Sequence, residues 1–376
     1  MKILVINYEF PPVGGGGGQA SADICEGLVA RGHEVRVLTS RAPDLPGEEV
    51  RSGVRIHRIL TGRKSRYRAS FPVMLAFLLL AFFPGLRLIR SWKPDVIHVH
   101  FAVPTGALVW LLSLLTGVPY ILTAHLGDVP GGVPQKTGRW FRMVYPFTPP
   151  IWKGAAAIAA VSEFTRDLAL EHYPVRIDVI PNGVHLPEQD PANLKVSDPP
   201  ELVFAGRFQP QKNVPFLIEA AAAAADLPWN LTLLGDGPQR VEIEALVKTH
   251  QLEDRIFMRG WVSPDEVWQI FLKSDLLVMP SLSEGLPVVG VQALACGLAI
   301  AGTTAGGLSE LITDRLNGRL VEVGDDEAYV AALRWCVKDS DRLLKMKRES
   351  LKIAQRYDIK AVAEAYEAIL RRALNK

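Results

Sequence analysis

Glu284 and Glu310 stand in a stretch, PSLSEGLPVVGVQALACGLAIAGTTAGGLSE from Pro280 to Glu310, where apolar runs alternate with glycine turns. Such a turn at a strand's C-terminal end offers unpaired backbone N–H groups and the positive end of a helix, which suits a phosphate. A carboxylate beside it accepts hydrogen bonds from sugar hydroxyls, although a glutamate there also serves simply to open a helix. Upstream, AGRFQPQKN puts Arg207 and Lys212 on one loop before a helix. A planar arginine fork and a lysine point charge so placed would clamp a pyrophosphate; the plain alternative is two solvated charges. GDGP from Gly235 and RGWV from Arg259 are two more strand-end turns. In the first half, the run Gly14 to Gly18 follows the first strand, and His125 in TAHLGD sits at a strand end, facing the ligand crevice of such a sheet. His98 and His100 read as ordinary turn histidines.

The elements that would position these residues are short apolar strands alternating with helices. KILVIN, VRVLTS, Val54 to Ile59, Val96 to Val99, Tyr120 to Thr123, Ala157 to Val161 and Ile177 to Ile180 form one series. Leu202 to Ala205, Trp229 to Leu234, Ile256 to Arg259, Leu276 to Met279, Leu298 to Ala301 and Arg319 to Val323 form another. Each predicts a doubly wound parallel sheet. Four prolines from Pro187 to Pro200 mark a linker. The expected plan is an N-terminal Rossmann-like domain at 1–187, a linker at 188–200, a C-terminal Rossmann-like domain at 201–355, and a terminal helix at 356–376 that could return to the N-terminal domain. Two such domains imply a cleft between them.

At 376 residues with 42 basic and 40 acidic side chains, the chain gives no electrostatic case for nucleic acid. The charge is uneven: residues 1–190 hold 20 basic and 15 acidic residues, which leaves 22 and 25 for the remainder. The basic excess centres on RKSRYRASFPVMLAFLLLAFFPGLRLIRSW. There Arg63, Lys64, Arg66 and Arg68 precede an apolar run, Phe71 to Phe83, and Arg87, Arg90 and Lys93 follow it. That run is too short to span a bilayer. It reads either as a helix lying on an anionic membrane surface or as a buried crossover helix with solvated ends. Val103 to Leu115, between two strands, reads as a core helix. Cys25, Cys296 and Cys336 are far apart, so neither a disulfide framework nor a zinc site is expected, and a reducing cytoplasm fits. The N-terminus enters a strand at once and does not read as an export signal. A nicotinamide cofactor is not expected, because VRVLTS does not end in an acidic residue.

Taken together, PPVGGGGGQ with GHEVRVLT, TAHLGD, AVSEFTRD, IPNGV, AGRFQPQKN, LLGDGP, SEGLPVVGVQALACG, AGGLSELI and NGRLV resemble the family 4 glycosyltransferases over essentially the whole chain. The resemblance implies a GT-B fold, with two Rossmann-like domains facing a cleft. It also implies retaining transfer from a nucleoside-diphosphate sugar to an acceptor hydroxyl, with the donor in the second domain and the acceptor in the first. By position, Arg207 and Lys212 hold the diphosphate, Glu284 holds donor sugar hydroxyls, and His125 lies by the donor sugar. Gly16, Gly17 and Gly18 approach the phosphates. Gly235, Arg259 and Gly260 belong to the donor site, the last two beside the nucleobase; Gly285, Leu286, Val288 and Glu310 complete its loops. No metal or other cofactor is implied, and the single D-x-D, Asp339 to Asp341, falls in a polar helical stretch.

Three departures from the family pattern stand out. Gln292 replaces the glutamate usually assigned to the ribose, Pro287 takes a position often filled by glycine, and His185 follows the NGV turn where aspartate is usual. Pro287 has no N–H to give a phosphate, which leaves the backbone donors of Leu286 and Val288. The reading is a cytoplasmic enzyme of cell-surface glycan or glycolipid synthesis, acting on a glycan or lipid-linked acceptor at the membrane's inner face. Two alternatives stay open: a sugar-nucleotide epimerase on the same architecture, and a sugar-nucleotide binder without catalysis.

Overall fold

KILVI forms the buried strand β1 (Lys2–Ile6), and the glycine run after it turns directly into α1 (Gly16–Ala30). The computed structural model, which describes residues 1–64, 66, 69–133 and 144–375, divides by contact into two units. Unit 1 is Met1–Gly183 with Ile359–Lys376, and unit 2 is Val184–Asp358.

In unit 1, β1 is followed by β2 (Glu34–Arg41), β3 (Glu48–Arg51), β4 (Val54–Leu60), α2 (Phe71–Trp92), β5 (Val96–His100), α3 (Ala107–Thr116) and β6 (Tyr120–Ala124). Then come α4 (Pro149–Gly154), β7 (Ala157–Ala160), α5 (Glu163–Leu170) and β8 (Asp178–Val179). The eight-stranded sheet has the order β3-β4-β2-β1-β5-β6-β7-β8 and is parallel except at β3. β3 was not expected, since its EEVR has no apolar alternation; antiparallel pairing with β4 holds it at the sheet edge. Strand order reverses between β1 and β5, so ligands are expected beyond the C-terminal ends of those two strands.

Unit 2 runs β9 (Glu201–Ala205), α6 (Val214–Ala222), β10 (Asn230–Leu234), α7 (Arg240–Thr249), β11 (Ile256–Gly260), α8 (Pro264–Phe271) and β12 (Leu276–Met279). It continues with α9 (Val288–Ala295), β13 (Ala299–Thr303), β14 (Gly318–Val321), α10 (Asp326–Val337) and α11 (Ser340–Ala354). Its six strands are parallel in the order β11-β10-β9-β12-β13-β14, with the reversal between β9 and β12. The proline-rich stretch before β9 is tied to this unit by a buried ion pair. Lys347 Nζ lies 2.5 Å from Asp275 Oδ1 and donates to the Lys195 carbonyl, while Asp275 Oδ2 accepts from the N–H groups of Ser197 and Glu201.

The last helix, α12 (Ile359–Leu374), packs in unit 1 against α1. Gly27 makes this approach possible, since a Cβ there would meet Ala363 Cβ at 2.7 Å, and Arg31 pairs with Glu367 at 2.5 Å.

Three sequence readings need correction. The apolar run Phe71–Phe83 does not end at Pro84: α2 continues to Trp92, giving 22 residues, long and apolar enough to cross a membrane by length and composition. The bond that Pro84 forgoes would have gone to the carbonyl of Leu80, an exposed residue on the solvent side of the helix. Val103–Leu115 is not simply a core helix: Leu108, Val109 and Leu112 are buried, but Leu111, Leu114 and Leu115 are exposed. Gly16–Gly18 are not a loop; they form the first turn of α1, whose N–H groups have no intrahelical acceptors. Arg68, counted among the basic residues before α2, lies outside the described residues.

Candidate active site

The loops that leave β9 and β12 flank the strand reversal of unit 2, and they are latched to each other. Gln211 accepts from the Leu282 N–H through its carbonyl at 2.8 Å and donates from Nε2 to the Ser283 carbonyl at 2.7 Å. This latch brings Lys212 Nζ to 2.5 Å from Glu284 Oε1, across a separation of 72 residues. Glu284 is buried and Lys212 half-buried. The Glu284 carbonyl accepts from the Gly307 N–H at 3.0 Å, which draws in the turn after β13. Arg207, on the same loop as Lys212, is half-buried and makes no ion pair among the described residues. The rim therefore carries one paired and one free cation.

The β10 turn joins this rim through glycines that nothing else could replace. Gly235 sits at φ +139°, and a Cβ on it would lie 1.9 Å from the Gly206 carbonyl oxygen; one on Gly237 would lie 2.3 Å from that of Phe208. Gly235 also donates to the Gly260 carbonyl at 2.7 Å, so the turns after β9, β10 and β11 form one surface. Arg259 on β11 is exposed and unpaired among the described residues.

Gly285 and Leu286 lead to Pro287, the N-cap of α9, and Val288 opens that helix. The N–H groups of Val288 and of the next residue fall in the first turn, where a helix supplies no acceptor. Gln292 lies on α9, buried beside this turn. Glu310 ends a five-residue 3₁₀ turn, Gly306–Glu310, and its carbonyl accepts from the Tyr357 hydroxyl at 3.2 Å. Asp339 caps α11 by accepting from the Arg342 N–H, so the D-x-D motif is occupied as a helix start.

Unit 1 assembles a different chemistry at its own reversal. His98 and His100 on β5, and Thr123 and His125 on and just after β6, alternate along neighbouring parallel strands and so share one face. His100 Nδ1 faces His125 Nε2 at 3.3 Å, His98 Nε2 meets Thr123 Oγ1 at 2.8 Å, and Thr123 donates to Tyr366 of α12 at 3.2 Å. Burial holds His98 down to about 3 and His125 to about 4, and lowers His100 as well. Burial thus disfavours the charged form of all three rings.

The backbone of His125 is fixed by Asp128, whose Oδ2 accepts its N–H at 2.8 Å and whose Oδ1 accepts the Val103 N–H at 3.1 Å. Burial raises that carboxyl to about 7 against the pull of these donors. Phe101 stacks on His125 at 4.4 Å from a left-handed backbone, φ +70°. The start of α1 lies beside both rings: a Cβ on Gly17 would come within 2.6 Å of Phe101 Cζ and 3.5 Å of His125 Cε1. Gly18 is crowded by the carbonyls of Glu9 and Val13, and the Gly14 N–H donates to the Arg66 carbonyl at 2.7 Å.

The sequence reading assigned Lys212, Glu284, His125 and Gly17 to one donor site; the structure brings Lys212 to Glu284 within unit 2 and Gly17 to His125 within unit 1. The sequence reading missed His100, Phe101 and Asp128. The available signal was the period-two match between HVH and TAH on adjacent strands, which puts four polar side chains on one sheet face.

Two family models cover the chain: "Glycosyl transferase 4-like domain" matches residues 15–183, and "Glycosyl transferases group 1" matches 187–353. The chain is 32% identical over 327 residues to an uncharacterized glycosyltransferase of Methanocaldococcus jannaschii, covering 86% of this chain and 84% of that one. Among solved structures, sucrose-phosphate synthase from Thermosynechococcus elongatus superposes with a TM-score of 0.83 at 23% identity, over 99% of this chain and 98% of that one. The HepE protein of Anabaena, solved in complex with UDP-glucose, gives 0.77 at 19% identity over 99% of both chains. With each half matched by its own family model, and two parallel-sheet α/β units behind them, the chain belongs to the group 1 glycosyltransferases of GT-B fold.

Proposed function

We propose that the protein is a retaining, family 4-type glycosyltransferase. It moves a sugar from a nucleoside diphosphate to an acceptor hydroxyl, in cell-surface glycan or glycolipid synthesis on the cytoplasmic face of a membrane. The observation that carries this reading is Lys212 held 2.5 Å from the buried Glu284, with unpaired Arg207 on the same loop, at the strand reversal of unit 2. Glu284 fixes the Lys212 rotamer while leaving two ammonium hydrogens for phosphate oxygens. Its own Oε2 stays available to accept from sugar hydroxyls. Arg207 supplies the planar fork for the second phosphate. Each such charge-assisted bond contributes roughly 1.5 to 3 kcal/mol where water is excluded.

In the reaction the bond from the anomeric carbon to the diphosphate oxygen breaks, and the acceptor oxygen bonds to the same face. The acceptor proton passes to the departing diphosphate oxygen. Arg207 and Lys212 stabilise the charge that develops there, so no metal is required in this scheme. Gly235, Arg259, Gly260 and Gln292 serve the nucleoside; Gly285, Leu286, Val288 and Glu310 line the phosphate and sugar loops. In unit 1, neutral His125 offers a hydrogen bond to the sugar without adding positive charge beside a developing oxocarbenium ion, and Gly16–Gly18 leave room for the donor. Unit 1 takes the acceptor, and its basic apolar segment at 63–93 is the side on which a lipid-linked acceptor would arrive. HepE, of the same fold, is described with UDP-glucose bound, which supports a nucleotide-sugar donor.

The test is to incubate the purified chain with UDP-, GDP-, ADP- and dTDP-sugars in chelator, with and without membrane lipid extract, and to assay free nucleoside diphosphate. Its release, increased by an acceptor and undiminished by chelator, is expected. An altered nucleotide sugar with no free diphosphate would identify an epimerase, and binding without any turnover a non-catalytic protein.

A further inference from the structure

α2 packs one stripe on the sheet of unit 1, with Phe77, Ala81, Gly85, Ile89 and Trp92 buried. Its opposite stripe is apolar and open. Leu75, Leu79 and Phe83 recur at every fourth residue and so lie on one face, with exposures of 46%, 66% and 74%. The same stripe continues into Arg87, and Arg90 follows on the next turn; both are exposed. α3 packs beside α2, where Gly85 meets Leu112, and exposes Leu111, Leu114 and Leu115. A soluble monomer rarely leaves so many large apolar side chains open on two adjoining helices.

The free charge at the C-terminal end of α2 is basic: of the ten basic residues between Val50 and Gly127, Arg51, Arg58, Arg63 and Arg66 pair with Glu26, Glu49, Glu9 and Asp44, whereas Arg87, Arg90 and Lys93 lie on or just after the helix. Lys64, Arg87, Arg90 and Lys93 are exposed and make no ion pair among the described residues. A second copy of the chain docked symmetrically on this face would bring like charges together. A bilayer with anionic headgroups meets both requirements, because the leucines and phenylalanines enter the acyl boundary while the cations stay with the phosphates. The helix does not span: its other stripe is committed to the sheet, and both its ends return to neighbouring strands, with only Lys93 to Asp95 between Trp92 and β5.

We propose that the open faces of α2 and α3 form a docking surface for an anionic lipid bilayer, on which the helices lie parallel to the membrane plane. This deepens the reading of a lipid-side acceptor given above. Vesicle binding needs neither donor nor transfer, so either reading can fail alone.

The experiment is cosedimentation of the full chain with vesicles of phosphatidylcholine alone and of phosphatidylcholine with phosphatidylglycerol, at low and high salt. Binding to the anionic vesicles, weakened about tenfold by high salt, is expected. Two double variants, Leu79→Ser with Phe83→Ser and Arg87→Glu with Arg90→Glu, should each reduce it about tenfold. All four positions are exposed, so the melting temperature should stay at the wild-type value. Size-exclusion chromatography with light scattering is run in parallel. Absence of binding to anionic vesicles overturns the proposal, as does binding that neither variant changes. A dimer that the Leu79→Ser, Phe83→Ser variant dissolves would assign the face to a second copy and overturn it equally.

Discussion

Units 1 and 2 share a strand–helix alternation and a reversal of strand order, yet they place opposite chemistries at that reversal. Unit 2 presents cations on a rim shaped by backbone: Arg207 and Lys212 stand over turns in which Gly235 and Gly237 press against the carbonyls of Gly206 and Phe208. Unit 1 presents neutral rings, His98, His100, His125 and Phe101, packed in a file and held by side chains. The difference accords with the proposed function. A diphosphate is bound by fixed positive charge and N–H groups, whereas a developing sugar cation is best met by groups that carry no positive charge.

The comparison is broken most severely by removing the free cation. Arg207→Ala should lower kcat/KM about a hundredfold, the range of one lost transition-state donor, with little change in melting temperature because the side chain makes no ion pair among the described residues. An unaltered rate would put the phosphate elsewhere. Next is the contrast between glycines. Gly235→Ala must drive a Cβ into a backbone carbonyl from φ +139° and should destabilise by about 2 to 3 kcal/mol. Gly17→Ala meets only the edge of a phenylalanine ring, which can turn aside, and should cost about 1 kcal/mol or less while impairing catalysis. Equal losses in denaturant midpoint would erase the distinction between a backbone rim and a side-chain pocket.

Acid titration sharpens it further. The folded-state values of His98 and His125, about 3 and about 4, lie below the ordinary 6.5. The unfolded chain therefore takes up protons first as pH falls from about 6.5, and each ring draws stability down by about 1.4 kcal/mol per pH unit until its folded value is reached. Asp23 and Asp128, both raised to about 7 by burial, act in the opposite sense between pH 4 and 7. The clean readout is thus a difference: His98→Gln should flatten the fall in stability between pH 6.5 and 4.5 relative to wild type. A parallel pair of curves would mean that His98 is accessible to protons in the fold. The smallest effect is expected at Gln292, where Gln292→Glu should tighten nucleotide binding by about 1 kcal/mol by offering the ribose a charged acceptor.

The alternation of both sheets was legible because parallel strands buried on two faces are continuous apolar runs, such as KILVI and LLVM. The paired loops of unit 2 were legible as candidates, since Arg207, Lys212 and Glu284 each stand beside a strand end. Their contact was not, because a hydrogen bond between residues 72 apart depends on which strands become neighbours, and strand order leaves no mark on local sequence. The histidine face of unit 1 was underread for the same reason: His98 and His100 look ordinary until β6 lies beside β5 and brings Thr123 and His125 level with them. The length of α2 was underread because the apolar run Phe71–Phe83 stops at Pro84, whereas the helix runs through it to Trp92.

The central claim is that unit 2 holds a nucleoside diphosphate through the Arg207 and Lys212 rim, and thermal stability in the presence of ligand tests it most directly. One of UDP-, GDP-, ADP- or dTDP-sugar, at about 100 times its dissociation constant, should stabilise the protein by about 2.7 kcal/mol. Arg207→Ala should melt like wild type without ligand and lose most of that shift with it. A full shift retained by Arg207→Ala, or none with any nucleotide sugar, would contradict the account.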